Sequence, residues 1–259
     1  MRVLVLDTAT PAVTAAVVSI VDRTTVTPLA HRSTVDERAH GELLAPAVRA
    51  VLAEAGLGAP DLAAIVVGLG PGPFTGLRVG LVTAATMAQA LAIPAYGVCS
   101  LDAIGWASTR GSRGDDAGLT LVATDARRRE IYWALYRDGV ALTPPAVGRP
   151  AAVVEQVADR GVRAAVGDGA VRYASLLPFP VRDEPRYPPA LALAELAAAR
   201  VVDRAPGDAL TPLYLRRPDA AERASQRGTS EERSGAGRAE LAERASGSAQ
   251  PHPPRAVTP

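Results

Sequence analysis

Apolar residues in this chain come in two spacings. Short dense runs, "RVLVLD" at residues 2–7 and "LAAIVVG" at 62–68, have strand length and no polar alternation, which predicts strands covered on both faces. Looser runs repeat every three to four residues. In "HGELLAPAVRAVLAEA" (40–55), Leu43, Leu44, Ala47, Val48, Val51, Leu52 and Ala55 share one broad face and Glu42 and Arg49 lie opposite. That predicts a helix stopped by Gly56. Pro46 removes one backbone donor, so the helix is expected to kink or to start late. Further strands are expected at "VTAAVVS" (13–19), "TPLAHRST" (27–34) and "AYGVCS" (95–100), with helices over 75–91 and from about 101. Three strands followed by helix–strand repeats predict an α/β fold with a mixed sheet.

The opening theme restarts near Leu119. "LTLVATDARRREIYWALYR" is again an apolar strand ending in an acid, then a turn and a second strand, with Asp7 and Asp125 as matching points. A helix (150–160), a strand "RAAVGDG" and an Ala/Leu helix (189–203) follow, and polar, glycine-rich "RGSRGDDAG" (110–118) is the natural linker. The expected units are 1–112, a smaller 113–217 whose last helix can pack back on the first, and a tail of 218–259. The tail has almost no large apolar residue and is expected to be disordered.

Composition narrows the chemistry. The 259 residues are 48% hydrophobic with a net charge of +1, and all 28 basic residues are arginine. Without lysine, a Schiff base and a Walker-type lysine are both excluded. One cysteine, Cys99, excludes a disulfide framework and a thiolate metal cage, and suits a reducing cytoplasm. The first apolar run is cut by Asp7, which speaks against a signal peptide. Residues 79–101 carry no charge, but their Thr, Gln and Pro content and flanking strand patterns speak against a membrane span.

Residues 68–80, "GLGPGPFTGLRVG", hold five glycines and two prolines. A phosphate loop works by aiming backbone N–H groups at oxygens, and Pro71 and Pro73 have none to aim. Thr75 is expected instead as the N-cap of the following helix. Gly76, Gly80, Ala84 and Ala88 then form a ridge of small side chains at spacing four. Two accounts stay open. Helix 40–55 covers the ridge inside the chain, or both helices offer it to another chain.

The histidines, His31, His40 and His252, form no H-x-x-x-H pair, so no metal site is expected. There is no G-x-S-x-G elbow, and Cys99 in a strand is better buried filling than a nucleophile for His40. Asp7 and Asp125 end strands, where open sheets place clefts, so they could hold a Mg-nucleotide or simply cap their turns. "ARRRE" is a basic turn that could touch RNA phosphates within a larger surface.

Taken together, "LDTAT", "HGELLAP", "GLGPGPFTGLRVG", "IPAYGVCSLDAI", "TDARRREIYW", "VGDG" and "PLYLR" resemble the TsaB family, also called YeaZ, in order over about residues 1–217. Pro73 stands where many members carry Ser, as in an actinobacterial form. The resemblance implies two ribonuclease-H-like halves of the actin/Hsp70/sugar-kinase type. It implies a non-catalytic subunit of the machinery that places threonylcarbamoyl on tRNA adenosine. No cofactor and no metal are implied. The implied partners are a TsaD-like transferase and a TsaE-like ATPase, with tRNA met through the complex and a homodimer when the chain is alone. The implied partner surface is His40, Leu43, Leu44, Ala47, Val48, Val51, Gly76, Gly80, Ala84 and Ala88. Asp7, Thr8 and Asp125 are the positions of a degenerate nucleotide cleft. The rival readings are an ATP-dependent small-molecule kinase of the same superfamily and a peptidase-like relative.

Overall fold

The dense apolar runs pair first with each other. In a computed structural model that describes residues 1–109 and 118–216, strands β1 (Arg2–Asp7), β2 (Ala12–Ile20), β3 (Val26–Val35), β4 (Ala64–Gly68) and β5 (Ala95–Val98) form one sheet. Its order is β3-β2-β1-β4-β5, with β1 antiparallel to β2 and parallel to β4. Parallel neighbours need crossovers, and helices α1 (His40–Glu54) and α2 (Phe74–Leu91) supply them.

Alternation along each strand then sorts two cores. Leu4, Leu6, Ala15, Val17, Ile65 and Val67 face α1 and α2 through Leu44, Val48, Val51, Leu77, Leu81 and Ala84. Val3, Val5, Ala16, Val18, Val66 and Tyr96 face the opposite way. They are covered by Ala-rich α6 (Ala190–Val202) and by Ala103 of α3 (Ser100–Ser108). Burial on both faces explains why these strands are apolar without interruption.

The second sheet repeats the plan. Strands β6 (Leu119–Asp125), β7 (Ile131–Arg137), β8 (Val140–Ala141) and β10 (Val162–Val166) run in the order β10-β6-β7-β8, and β9 (Ala146–Gly148) pairs with β7. Here β6 is antiparallel to β7 and parallel to β10, as β1 is to β2 and β4. One face packs on α4 (Pro150–Val157) and on Ala170 of α5 (Asp168–Arg172). The other packs on Leu101 and Ile104 of α3, so α3 contributes to the cores of both sheets. The architecture is two ribonuclease-H-like halves built on mixed sheets.

Several local expectations are corrected. Helix α1 begins at His40, so it does not start late, and Pro46 is exposed inside the helix. Pro73, not Thr75, is the N-cap of α2, and Thr75 is exposed in its first turn. Strand β5 ends at Val98 because Ser100 opens α3. β8, β9 and α5 are too short to leave a periodic signal. The boundary expected at 112–113 and the tail expected at 218–259 lie outside the described residues.

After α6, the described chain continues without regular structure and touches both halves in turn. Asp208 N donates to Ala95 O (2.8 Å) and Leu213 N to Leu69 O (2.9 Å). Arg216 Nη1 donates to Ala126 O (2.7 Å), and its guanidinium pairs with Glu130. Tyr214 stacks on Phe74 at the start of α2, with ring centroids 5.0 Å apart. Arg78 Nε donates to the Tyr214 hydroxyl at 2.8 Å while its guanidinium lies 3.6 Å over Phe74. A stacked guanidinium with one hydrogen bond, on a surface, is worth about 1 kcal/mol. Tyr214→Ala is therefore expected to lower the melting temperature by roughly 2–4 °C, measured by circular dichroism.

Candidate functional site

The glycine-rich segment is a cradle, and its occupant is the chain's own β1–β2 turn. A Cβ on Gly72 would lie 2.1 Å from the Ala9 carbonyl oxygen, and one on Gly68 would lie 1.8 Å from Asp7 Oδ2. On Gly80 it would lie 2.6 Å from Thr8 Oγ1, and on Gly76 3.1 Å from Thr8 O and 3.3 Å from His40 Nε2. The Thr8 hydroxyl donates to Gly76 O (2.8 Å) and accepts from Gly80 N (2.9 Å), so it sits on a rung of α2 itself.

The ridge is filled from within this chain. Gly76, Gly80, Ala84 and Ala88 are buried, as are Leu44, Val48 and Val51, all inside this chain. Their small size lets the β1–β2 turn and α1 approach α2. His40 is buried too, with Nε2 2.8 Å from the Thr10 carbonyl oxygen. Of the ten expected contact residues, only Leu43 and Ala47 stay partly exposed, packed against the edge of the core. The outward face of α2 is a different set. Val82 is 62% exposed, Ala85, Thr86, Gln89 and Ala90 are exposed, and Arg78 is the only charge along the helix. No element of the described chain covers that stripe.

The two acids at the strand ends are each held within their own half. Asp7 is 1% exposed, and its Oδ2 accepts from Ser100 Oγ at 2.6 Å and its Oδ1 from Ala9 N at 3.0 Å. Burial pushes its pKa up to about 6, against the pull of those two bonds. Gly68, at the end of β4, lies directly against the carboxylate. Asp125 lies 3.3 Å from Arg172 Nη1 and 3.4 Å from the Tyr173 hydroxyl, while Asp125 N donates to Asp168 Oδ1 at 3.3 Å. Burial, and then the Asp125 carboxylate, push Asp168 up to about 7. Ser100 and Asp168 lie in segments that carry the family resemblance but were given no role, and Arg172 and Tyr173 lie in none, because only the folded chain brings them beside the two acids.

Burial pushes the Cys99 thiol up to about 12, so it is neutral at physiological pH and unsuited to nucleophilic attack. Among the described residues, no group of three or more His, Cys, Asp or Glu could hold a metal ion, and no helix is long and apolar enough to cross a membrane. A cavity of about 350 Å³ opens between β2, β3 and residues 184–191, lined by His31, Glu184, Tyr187 and several prolines. None of the expected site residues lines it.

Similarity to known proteins agrees with the fold. Residues 31–179 match the family model described as TsaD, tRNA N6-adenosine threonylcarbamoyltransferase. An uncharacterized protein of Mycobacterium tuberculosis is 52% identical over 219 residues, 84% of this chain and 93% of that relative. The Escherichia coli tRNA threonylcarbamoyladenosine biosynthesis protein TsaB is 35% identical over 137 residues, 53% of this chain and 55% of that protein. A solved structure of YeaZ from Pseudomonas aeruginosa superposes with a TM-score of 0.67 at 28% identity, covering 83% of this chain and 99% of that one. With more than half of its length matched by the family model and its architecture shared with YeaZ, this chain belongs to the TsaB/YeaZ branch of the TsaD family.

Proposed function

We propose that this chain is a non-catalytic subunit of the assembly that forms threonylcarbamoyladenosine in tRNA, acting in the cytoplasm. In this reading it docks on a TsaD-like transferase through the outward face of α1 and α2, and a TsaE-like ATPase binds the pair. The observation that carries the docking surface is the uncovered stripe of α2, with Val82, Ala85 and Ala90 beside Thr86 and Gln89, bare of charge beyond Arg78. An uncovered face that combines an exposed valine with small residues and almost no charge suits an interaction surface. Two further observations support the absence of chemistry. His40 has its Nε2 committed to Thr10 O, and Asp7 is sealed by Gly68 and Ser100. Without its partner, the same face is expected to pair two copies of the chain.

The test is reconstitution of tRNA modification from purified TsaD-like and TsaE-like proteins, with and without this chain. Modification is expected only when it is present; turnover without it, or turnover by this chain alone, would end the proposal. A Val82→Arg chain locates the surface. Burying an unpaired charge costs at least about 2 kcal/mol, roughly a 30-fold loss of affinity for the transferase. Because Val82 is exposed in the free chain, the melting temperature should stay within a degree or two. Full partner affinity in Val82→Arg would place the contact elsewhere.

A further inference from the structure

The turn between β6 and β7 has a backbone that its residues do not favour. Arg127, Arg128 and Arg129 have φ of 62°, 52° and 61°, three consecutive left-handed residues. Glycine and asparagine adopt that conformation far more readily than arginine. The side chains of Arg128 and Arg129 are exposed, and no core cluster includes them. The fold would accept Asn-Gly chemistry here, yet the chain places three guanidiniums on the tip.

The surroundings concentrate that charge. Arg127 Nη1 lies 2.6 Å from Glu37 Oε2, in the loop before α1. Arg127, Arg172 and Arg38 all act to lower the Glu37 carboxyl. Arg172 also reaches Asp125 at 3.3 Å. Arg38, Arg127, Arg128, Arg129 and Arg172 thus share this edge with four acids, Asp36, Glu37, Asp125 and Asp168, the last pushed up to about 7 by burial. The edge keeps a positive excess. Two of the turn's N–H groups are already used within it, Ala126 N on Glu130 O and Glu130 N on Arg127 O, both at 2.9 Å. The guanidiniums are the groups of the turn that reach furthest into solvent. Planar guanidiniums spread along a turn suit successive phosphodiesters better than one chelated triphosphate.

From this geometry we infer that the Arg127–Arg129 turn, with Arg172 beside it, is a contact for the sugar–phosphate backbone of RNA. The choice of RNA rests on the function proposed above. The turn orients charge without reading sequence, as phosphate contacts do.

The test uses the full chain assembled with its transferase partner and a fluorescent tRNA transcript, titrated across a salt series. R128N/R129N removes two charges while supplying residues that tolerate a left-handed backbone, and its melting temperature, measured alongside, separates loss of fold from loss of charge. Its tRNA affinity should drop on the order of tenfold, and the slope of log affinity against log salt should flatten by about two. R128K/R129K, which keeps the charge, should retain most of the affinity. Wild-type affinity and slope in R128N/R129N would overturn the inference and leave the subunit reading standing. Loss of Mg-ATP binding with tRNA binding intact would overturn it in favour of a nucleotide site. No tRNA binding by the wild-type assembly would sink the subunit reading, and the inference with it.

Discussion

Replacing Gly72 by alanine is expected to cost about 3 kcal/mol, the upper end for overpacking, because the new methyl group meets a main-chain oxygen. The built Cβ lies 2.1 Å from Ala9 O, and Ala9 is 2% exposed, so no side chain can swing aside. In a domain of this size that is a fall of roughly 6–12 °C in melting temperature. Gly80 behaves differently, since its obstacle is a removable hydroxyl, Thr8 Oγ1 at 2.6 Å. Alanine gains about 1 kcal/mol over glycine in a helix interior. Gly80→Ala is therefore expected to destabilise the wild-type chain by roughly 1–2 kcal/mol net and to stabilise a Thr8→Ala chain. That reversal of sign, read from urea midpoints around the four-variant cycle, is the signature of contact between the turn and the helix. Equal effects of Gly80→Ala in both backgrounds would mean that something other than Thr8 demands glycine there.

The second large effect is pH dependence from Asp7. Its carboxyl is raised by burial from 3.8 to about 6 in the folded chain. The folded state then holds this proton more tightly than the unfolded state does. The stability that follows is complete below about pH 4, is lost as pH rises toward 6, and is level above that. A displacement of this size corresponds to roughly 3 kcal/mol. Asp7→Asn keeps an acceptor for Ala9 N, presents an amide to Ser100 Oγ and titrates nowhere in this range. The stability of Asp7→Asn minus that of the wild type should therefore rise by roughly 2–3 kcal/mol between pH 4 and pH 7. Taking the difference cancels the contribution of Asp168, which also releases its proton as pH rises toward 7. A flat difference would mean that Asp7 is already ionised in the fold at low pH.

How far the sequence could be read depends on the range of the interactions involved. Strand runs such as "RVLVLD" and the helical period of residues 40–55 are local, and each maps onto an observed element within a residue or two. The matched Asp7 and Asp125 signalled the duplication, because both end strands with an antiparallel and a parallel neighbour. The capping of α2 was less legible, since Pro73 and Thr75 are both acceptable at a helix start and the approach of the chain chose Pro73. The left-handed backbone at Arg127–Arg129 left no trace, because arginine has no preference for it.

By itself, then, the sequence determined the strands, the long helices, the repeated half and the family, all of which follow from neighbours along the chain. It also showed that one face of α2 had to be built from very small residues. What presses against that face was decided only by tertiary structure. Gly72, Gly76 and Gly80 are small because Thr8 and Ala9, more than sixty residues earlier, fold onto them. Side-chain size is written locally, but the object that fills the space it leaves comes from a distant segment, so which face of α2 stays uncovered is legible only once the chain has closed on itself.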